Sequence, residues 1–219
     1  MKLKPLYPAF LDLSGLPVLV VGGGTVAGRK AVVLLESRAR VTVVSPQFSR
    51  DFFVALDGAR CRRIQRPFRP SDLKGVRLVF AATDDLPLNR RIARLARRQG
   101  TFVNVAAPPE SGDLQVPAAV RQGNFCIAVS TGGASAALAA ACCRRLGRRI
   151  GPEWGQLTAL MAVQRKKILA QVRDPAQRRV LLQRLADPRF ATLIKTRGIG
   201  YVSRKMTQMV MAAQRRGKL

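Results

Sequence analysis

The apolar positions fall into short runs separated by helix-periodic stretches. Residues 17–21 (PVLVV) form a continuous apolar run that stops at Gly22-Gly23-Gly24, and Val26, Ala27, Val32, Val33 and Leu34 then recur with helical spacing. A second β-branched run, 40–44, completes a strand–helix–strand unit whose crossover is expected to be right-handed. Further strands are predicted at 62–66 around Ile64, at 76–82 and at 101–105, with a helix from about Pro87 to Gln99 between the last two. Strands alternating with helices predict an α/β fold with an open, mostly parallel sheet.

The pattern changes after 113. A short strand is predicted at Leu114–Val116 and a clearer one at 125–129. Thr131-Gly132-Gly133 breaks the chain before a helix from Ala134 to Ile150. Gly151-Pro152 marks a boundary. Beyond it the chain reads as helical, with breaks at Asp174-Pro175, Asp187-Pro188 and Gly198-Ile199-Gly200.

Composition narrows the chemistry. Of the 219 residues, none is histidine, which excludes Ser-His-Asp and Cys-His nucleophile pairs and every histidine metal ligand. The net charge is +27, with 19 basic and 9 acidic residues in 1–113 but 20 and 3 from 114 onward. Such a field attracts polyanions: nucleic acid, anionic lipid or a carboxylate-rich small molecule. The basic residues are spread rather than interleaved with aromatics, and no helix-turn-helix, RRM or zinc-finger pattern occurs, so nucleic acid is the weakest of these. Cys61, Cys126, Cys142 and Cys143 form no C-x-x-C pair. No apolar run reaches about 18 residues, and Pro5, Pro8 and Pro17 interrupt any signal-like segment. A reduced, cytoplasmic chain with no membrane partner is the expectation.

The strongest motif is Gly22-Gly23-Gly24-Thr25-Val26-Ala27, a G-x-G-x-x-A set between a strand and a helix. Gly22 permits the tight turn, Gly24 lets a pyrophosphate approach the backbone, and Ala27 lets helix and strand pack closely. The second strand ends at Ser45, where an acid would otherwise hold the ribose of NAD. With Arg29, Lys30 and Arg50 nearby, NAD and NADP both stay open. Thr83 lies at the carboxyl end of strand 76–82, and Asp84 or Asp85 reads as the cap of the next helix.

The run of motifs 22–30, 41–46, 82–89, Asn104-Val105, 116–118 and 130–135 resembles the siroheme-synthase N-terminal family, precorrin-2 dehydrogenases that in some members are also sirohydrochlorin ferrochelatases. The resemblance implies a Rossmann NAD-binding domain at 1–113, a dimerisation segment at 114–150 and a helical C-terminal domain at 151–219. It implies a homodimer that oxidises precorrin-2 to sirohydrochlorin with NAD. By motif, Gly22, Gly24, Thr25 and Val26 would meet the pyrophosphate, and Thr83 and Asn104 would line the nicotinamide side. Ser130, Thr131 and Ser135 would face the substrate.

Arg121, Arg144, Arg145, Arg197, Arg204 and Lys205 are candidate clamps for its carboxylates. Trp154 and the Met206, Met209, Met211 group read as helix core.

One departure stands out. Where the family carries an aspartate, this chain has Ala107, which can neither move a proton nor bind a metal. Asp113 is the neighbouring carboxylate that could substitute. The readings that follow are an impaired dehydrogenase, a dinucleotide-gated tetrapyrrole-binding protein without catalysis, or a dehydrogenase that is also a ferrochelatase.

Overall fold

The computed structural model describes residues 5–216, with side chains through 212. Five strands form a wholly parallel sheet: β1 (Pro17–Val21), β2 (Arg40–Ser45), β3 (Arg62–Gln65), β4 (Leu78–Ala81) and β5 (Phe102–Val105). Their spatial order is β3-β2-β1-β4-β5, so the winding reverses between β1 and β4. In an open α/β sheet that switch point opens a crevice at the carboxyl ends of the strands, where ligands bind.

Alternation along each strand feeds two cores. Val18, Val20, Val43 and Phe80 face α1 (Thr25–Glu36) and α2 (Arg50–Leu56), packing on Ala27, Ala31, Leu34 and Phe52. Leu19, Val79 and Val103 face the other way, onto Ile92, Ala93 and Ala96 of α3 (Leu86–Arg98). Ile92 is fully buried, and withdrawing such a side chain from water contributes roughly 1.5–3 kcal/mol. Burial on both faces is why β1 and β4 read as unbroken apolar runs rather than alternating ones.

Two elements differ from expectation. Helix α2 is unforeseen; it is only seven residues long, begun by Ser49, whose hydroxyl accepts from Phe52 N–H, and ended by left-handed Asp57. No strand forms at 114–116. Asp113 and Leu114 N–H both donate to Val103 O, which folds that segment against β5 without a ladder. The strand lies further on, as β6 (Ala118–Gln122), paired antiparallel with β7 (Phe125–Val129).

Contacts divide the described chain into two compact units, one running to Val116 with Gly132–Ala134, the other comprising Pro117–Thr131 and the chain from Ser135. In the second unit α4 (Ala136–Gly147) packs on the β6–β7 hairpin, followed by α5 (Pro152–Gln171), α6 (Pro175–Leu185) and α7 (Arg189–Arg216), the last interrupted at Gly198. Prolines open α5 and α6, where a missing N–H does no harm. Leu157, Ile168, Leu185, Val202 and Met206 form this unit's core. Trp154 stacks on Phe125 with centroids 4.9 Å apart and packs against that core with Met209; Met211 is exposed.

Candidate functional site

The three glycines of the β1–α1 turn have different jobs. Gly22 has φ +133°, and a Cβ there would collide with the Ala82 carbonyl. A Cβ on Gly23 would collide with the Gln47 carbonyl and the Ser45 hydroxyl. Both are therefore required by the fold. Gly24 is different. It is the N-cap of α1 in ordinary extended conformation, offers no side-chain cap, and a Cβ on it would meet no protein atom within 4 Å. The space it leaves lies in front of the unpaired N–H groups of the first turn of α1, which also carries Thr25 and exposed Val26. Open room beside free N–H donors and a positive helix end suits a pyrophosphate. Gly28 serves packing, since its Cα approaches Phe52 and Ala55 of α2 too closely for a side chain.

Ser45 ends β2 as expected, but it is buried and its hydroxyl donates to Gln47 O (2.6 Å). It braces the loop after β2. Lys30 is likewise not a surface cation. Its amine donates to Asn104 Oδ1 (2.8 Å) and lies 5.5 Å from the centroid of the Phe80 ring; burial alone pulls its pKa below the ordinary lysine value. Asn104 is thereby held on both sides, because its Nδ2 donates to Leu114 O (2.8 Å).

Sequence reasoning did not give Asn89 a role, and the structure does. It is fully buried at the start of α3, which Asp85 caps by accepting from Leu88 N–H (2.9 Å). Asn89 Oδ1 accepts from Thr83 Oγ1 (2.7 Å) and Thr83 N–H (3.3 Å), while its Nδ2 donates to Thr83 O (2.9 Å) and Ala107 O (3.0 Å). One amide thus ties the β4 exit to the β5 exit. The signal available was a polar residue on the apolar stripe of α3, one turn before Ile92 and Ala93.

Ala107 is exposed just past β5, after Ala106 N–H has extended the ladder to Ala81 O. The backbone at residue 107 is therefore held, and its side chain is a methyl group. Asp113 is engaged in an ion pair. Its carboxylate accepts from Arg97 Nε (2.7 Å), whose NH2 also donates to Ser111 O. Arg97 lies at the far end of α3, about 16 Å along the helix from Leu86 at the carboxyl edge. Gly22, Gly24, Thr25, Val26, Thr83 and Ala107 thus share the carboxyl edge of one sheet, while the Asp113 carboxylate is engaged by Arg97 of α3.

In the second unit, Thr131 and Ser135 close the start of α4. Thr131 Oγ1 accepts from Ser135 N–H (3.0 Å) and donates to Ser135 O, and Ser135 Oγ caps Leu138 N–H. Ser130 is exposed after β7. Arg121 is exposed in β6 opposite Cys126; Arg144, Arg145, Arg204 and Lys205 are exposed on helices, and Arg197 lies over the Tyr201 ring. Among the described residues no three His, Cys, Asp or Glu side chains are grouped to hold a metal, and no helix is long and apolar enough to cross a membrane.

Comparison with known proteins converges on one family. Residues 9–118 match the family described as "Putative NAD(P)-binding". Siroheme synthases of Methylococcus capsulatus and Nitrosococcus oceani are 37% and 35% identical over 186 and 187 residues, 85% of this chain. The siroheme synthase of Ectopseudomonas mendocina is 40% identical over 175 residues. This chain spans only 37–40% of the length of these relatives. Among solved structures, SirC, a precorrin-2 dehydrogenase, superposes with a TM-score of 0.74 at 26% identity, covering 94% of this chain and 100% of that one. The chain belongs to the NAD(P)-binding family that these siroheme synthases and SirC represent.

Proposed function

We propose that this chain oxidises precorrin-2 to sirohydrochlorin with NAD as hydride acceptor, at a rate limited by Ala107. The observation that carries the reading is the carboxyl edge itself: a glycine turn whose third glycine is needed by no protein contact, in a chain that superposes on the full length of SirC. Bound there, NAD supplies the hydride acceptor. Gly22, Gly24, Thr25 and Val26 shape the pyrophosphate seat, and Thr83, fixed by Asn89, borders the nicotinamide side. Loss of a hydride from the substrate also requires loss of a proton, and position 107 offers a methyl group for that task.

The substrate is rich in carboxylates, and the basic excess of the chain attracts it by long-range field and charge-assisted bonds. Arg121 with Ser130, Thr131 and Ser135 is the assignment for its binding side, within a division into a dinucleotide-binding domain 1–113, a dimerisation segment 114–150 and a helical domain 151–219. The same reading makes the protein a cytoplasmic homodimer, which sedimentation at micromolar concentration checks.

A second reading is favoured by Ala107 together with the ion-paired state of Asp113: a protein that binds dinucleotide and tetrapyrrole without turnover. Incubation with precorrin-2 and NAD, followed by absorption spectroscopy, separates the two. Slow appearance of the sirohydrochlorin spectrum supports the dehydrogenase. Tight binding of both ligands with no spectral change, in this chain and in Ala107→Asp alike, supports the binding protein.

A further inference from the structure

Lys30 is the anomaly of the dinucleotide-binding unit. Lysine is rarely withdrawn from water unless a carboxylate compensates it. Here the amine is half-buried, its one hydrogen-bond partner is the neutral amide of Asn104, and none of the ion pairs among the described residues includes it. The neighbouring Phe80 ring offers its face and no countercharge.

Its place in the fold gives the anomaly a meaning. Lys30 belongs to α1, the helix that begins at the glycine turn, five residues or roughly 7–8 Å along the axis from Thr25. Its side chain does not stay over β1 and β2, the half of the sheet that precedes the switch point. It reaches to Phe80 of β4 and Asn104 of β5, which pair with each other one residue before the ends of their strands. A dinucleotide lies across the switch point with one nucleotide over each half, and Thr83 and position 107 mark the β4–β5 half as the redox half. The amine is therefore fixed beneath the redox half, in surroundings drier than bulk water, where charges act more strongly on one another.

The two forms of the cofactor differ at that end by one charge: the oxidised nicotinamide is a cation and the reduced ring is neutral. We propose that Lys30 biases bound dinucleotide toward its reduced form, because a fixed ammonium under the β4–β5 edge opposes the oxidised ring and leaves the reduced ring unopposed. Asn104 is the positioning residue of this device, since its bond to Leu114 O leaves Oδ1 as the acceptor that holds the amine in place. The consequence is a thermodynamic pull on hydride transfer from substrate to cofactor, independent of the proton acceptor missing at 107. The inference rests on dinucleotide binding at the glycine turn and not on the identity of the reduced substrate.

The test needs no turnover. NAD+ and NADH are titrated separately into the full chain, into Lys30→Met, which keeps the shape and removes the charge, and into Lys30→Arg, which keeps the charge. In the unmodified chain NADH is expected to bind more tightly. Lys30→Met is expected to shrink the ratio of the two dissociation constants about five- to tenfold, chiefly by tightening NAD+, with Lys30→Arg staying within about twofold of the original ratio. An unchanged ratio in Lys30→Met overturns the proposal while leaving dinucleotide binding intact. Equal weakening of both forms in Lys30→Met overturns it as well and makes Lys30 a structural brace. If neither form binds the unmodified chain, the dinucleotide reading fails first and this inference falls with it.

Discussion

The glycine turn after β1 and the chain leaving β5 lie at the same edge of the same sheet, yet they offer different things. The turn offers backbone donors and open room. Gly22 and Gly23 hold the backbone, and Gly24 leaves room in front of the α1 N–H groups. At the β5 exit Asn89 grips the carbonyl of residue 107, and the side chain there is a methyl group. On the proposed reading binding and proton transfer are separable, since binding would depend on backbone and helix dipole and proton transfer on a single side chain. Substitutions at each region should move one property and spare the other.

The largest expected effect is gain of turnover at the β5 exit. Ala107→Asp places a carboxylate on an exposed position whose backbone is already fixed, so no remodelling is needed. A positioned acid/base is worth about 10²–10⁴ in rate, so recovery of at least about tenfold in initial rate is expected. Dinucleotide affinity should change less than about threefold, because nothing at the glycine turn is touched. Equal rates for the unmodified chain and the Ala107→Asp variant would place the base elsewhere and break the comparison.

At the turn, two glycines should separate fold from ligand. Gly24→Val introduces a side chain into space that no protein atom needs, at an extended φ that valine accepts. Calorimetric titration should show dinucleotide affinity falling by at least about tenfold, with the melting temperature lowered by only about 2–4 °C for the poorer N-cap. Gly22→Val meets both a positive φ and the Ala82 carbonyl and should destabilise the protein by about 2–4 kcal/mol in denaturant unfolding. If both variants melt early and bind poorly, Gly24 is as structural as Gly22.

Asn89 joins the two exits of β4 and β5, so it tests whether the scaffold at 107 is worth having. Asn89→Ala removes the bonds that hold Thr83 and the Ala107 carbonyl, at a net cost of about 0.5–1.5 kcal/mol per bond, since the Thr83 hydroxyl keeps Asp85 O and the exposed Ala107 carbonyl can turn to water. It should also cut the gain from Ala107→Asp by at least about threefold, a coupling measured by the double-mutant cycle. A strictly additive cycle would mean the backbone at 107 is held without Asn89.

How much of this was legible in the sequence follows from what each feature depends on. The glycine turn was readable because its constraints are local: a strand, three glycines and a helix within twenty residues. The inward turn of Lys30 was not, since adjacent Arg29 and Lys30 look alike in sequence and only helix phase against β4 and β5 separates the exposed one from the half-buried one. Asn89 was missed because its partners lie at two strand ends brought together by sheet pairing. The shift of the strand from 114–116 to β6 has a similar origin: Val103 O captures two N–H groups that a local pattern would have given to a ladder.

The smallest expected effect is at Asp113, and its smallness is the point. On sequence alone Asp113 was the carboxylate offered as a substitute for the one absent at 107. In the fold it is bound to Arg97 of α3, with both side chains partly open to solvent. An exposed ion pair of this kind is worth about 0–1 kcal/mol. Asp113→Asn keeps an oxygen that can still accept from Arg97, so unfolding midpoints should shift by no more than that and residual turnover should stay within about twofold. Measured in the Ala107→Asp background as well, the substitution should again be silent, since a carboxylate at 107 then carries the proton. A severe loss of turnover in the unmodified chain alone, with none in the Ala107→Asp background, would show instead that the loop swings Asp113 from Arg97 to the carboxyl edge when ligands bind. The β5 exit would then have relocated its chemistry rather than lost it.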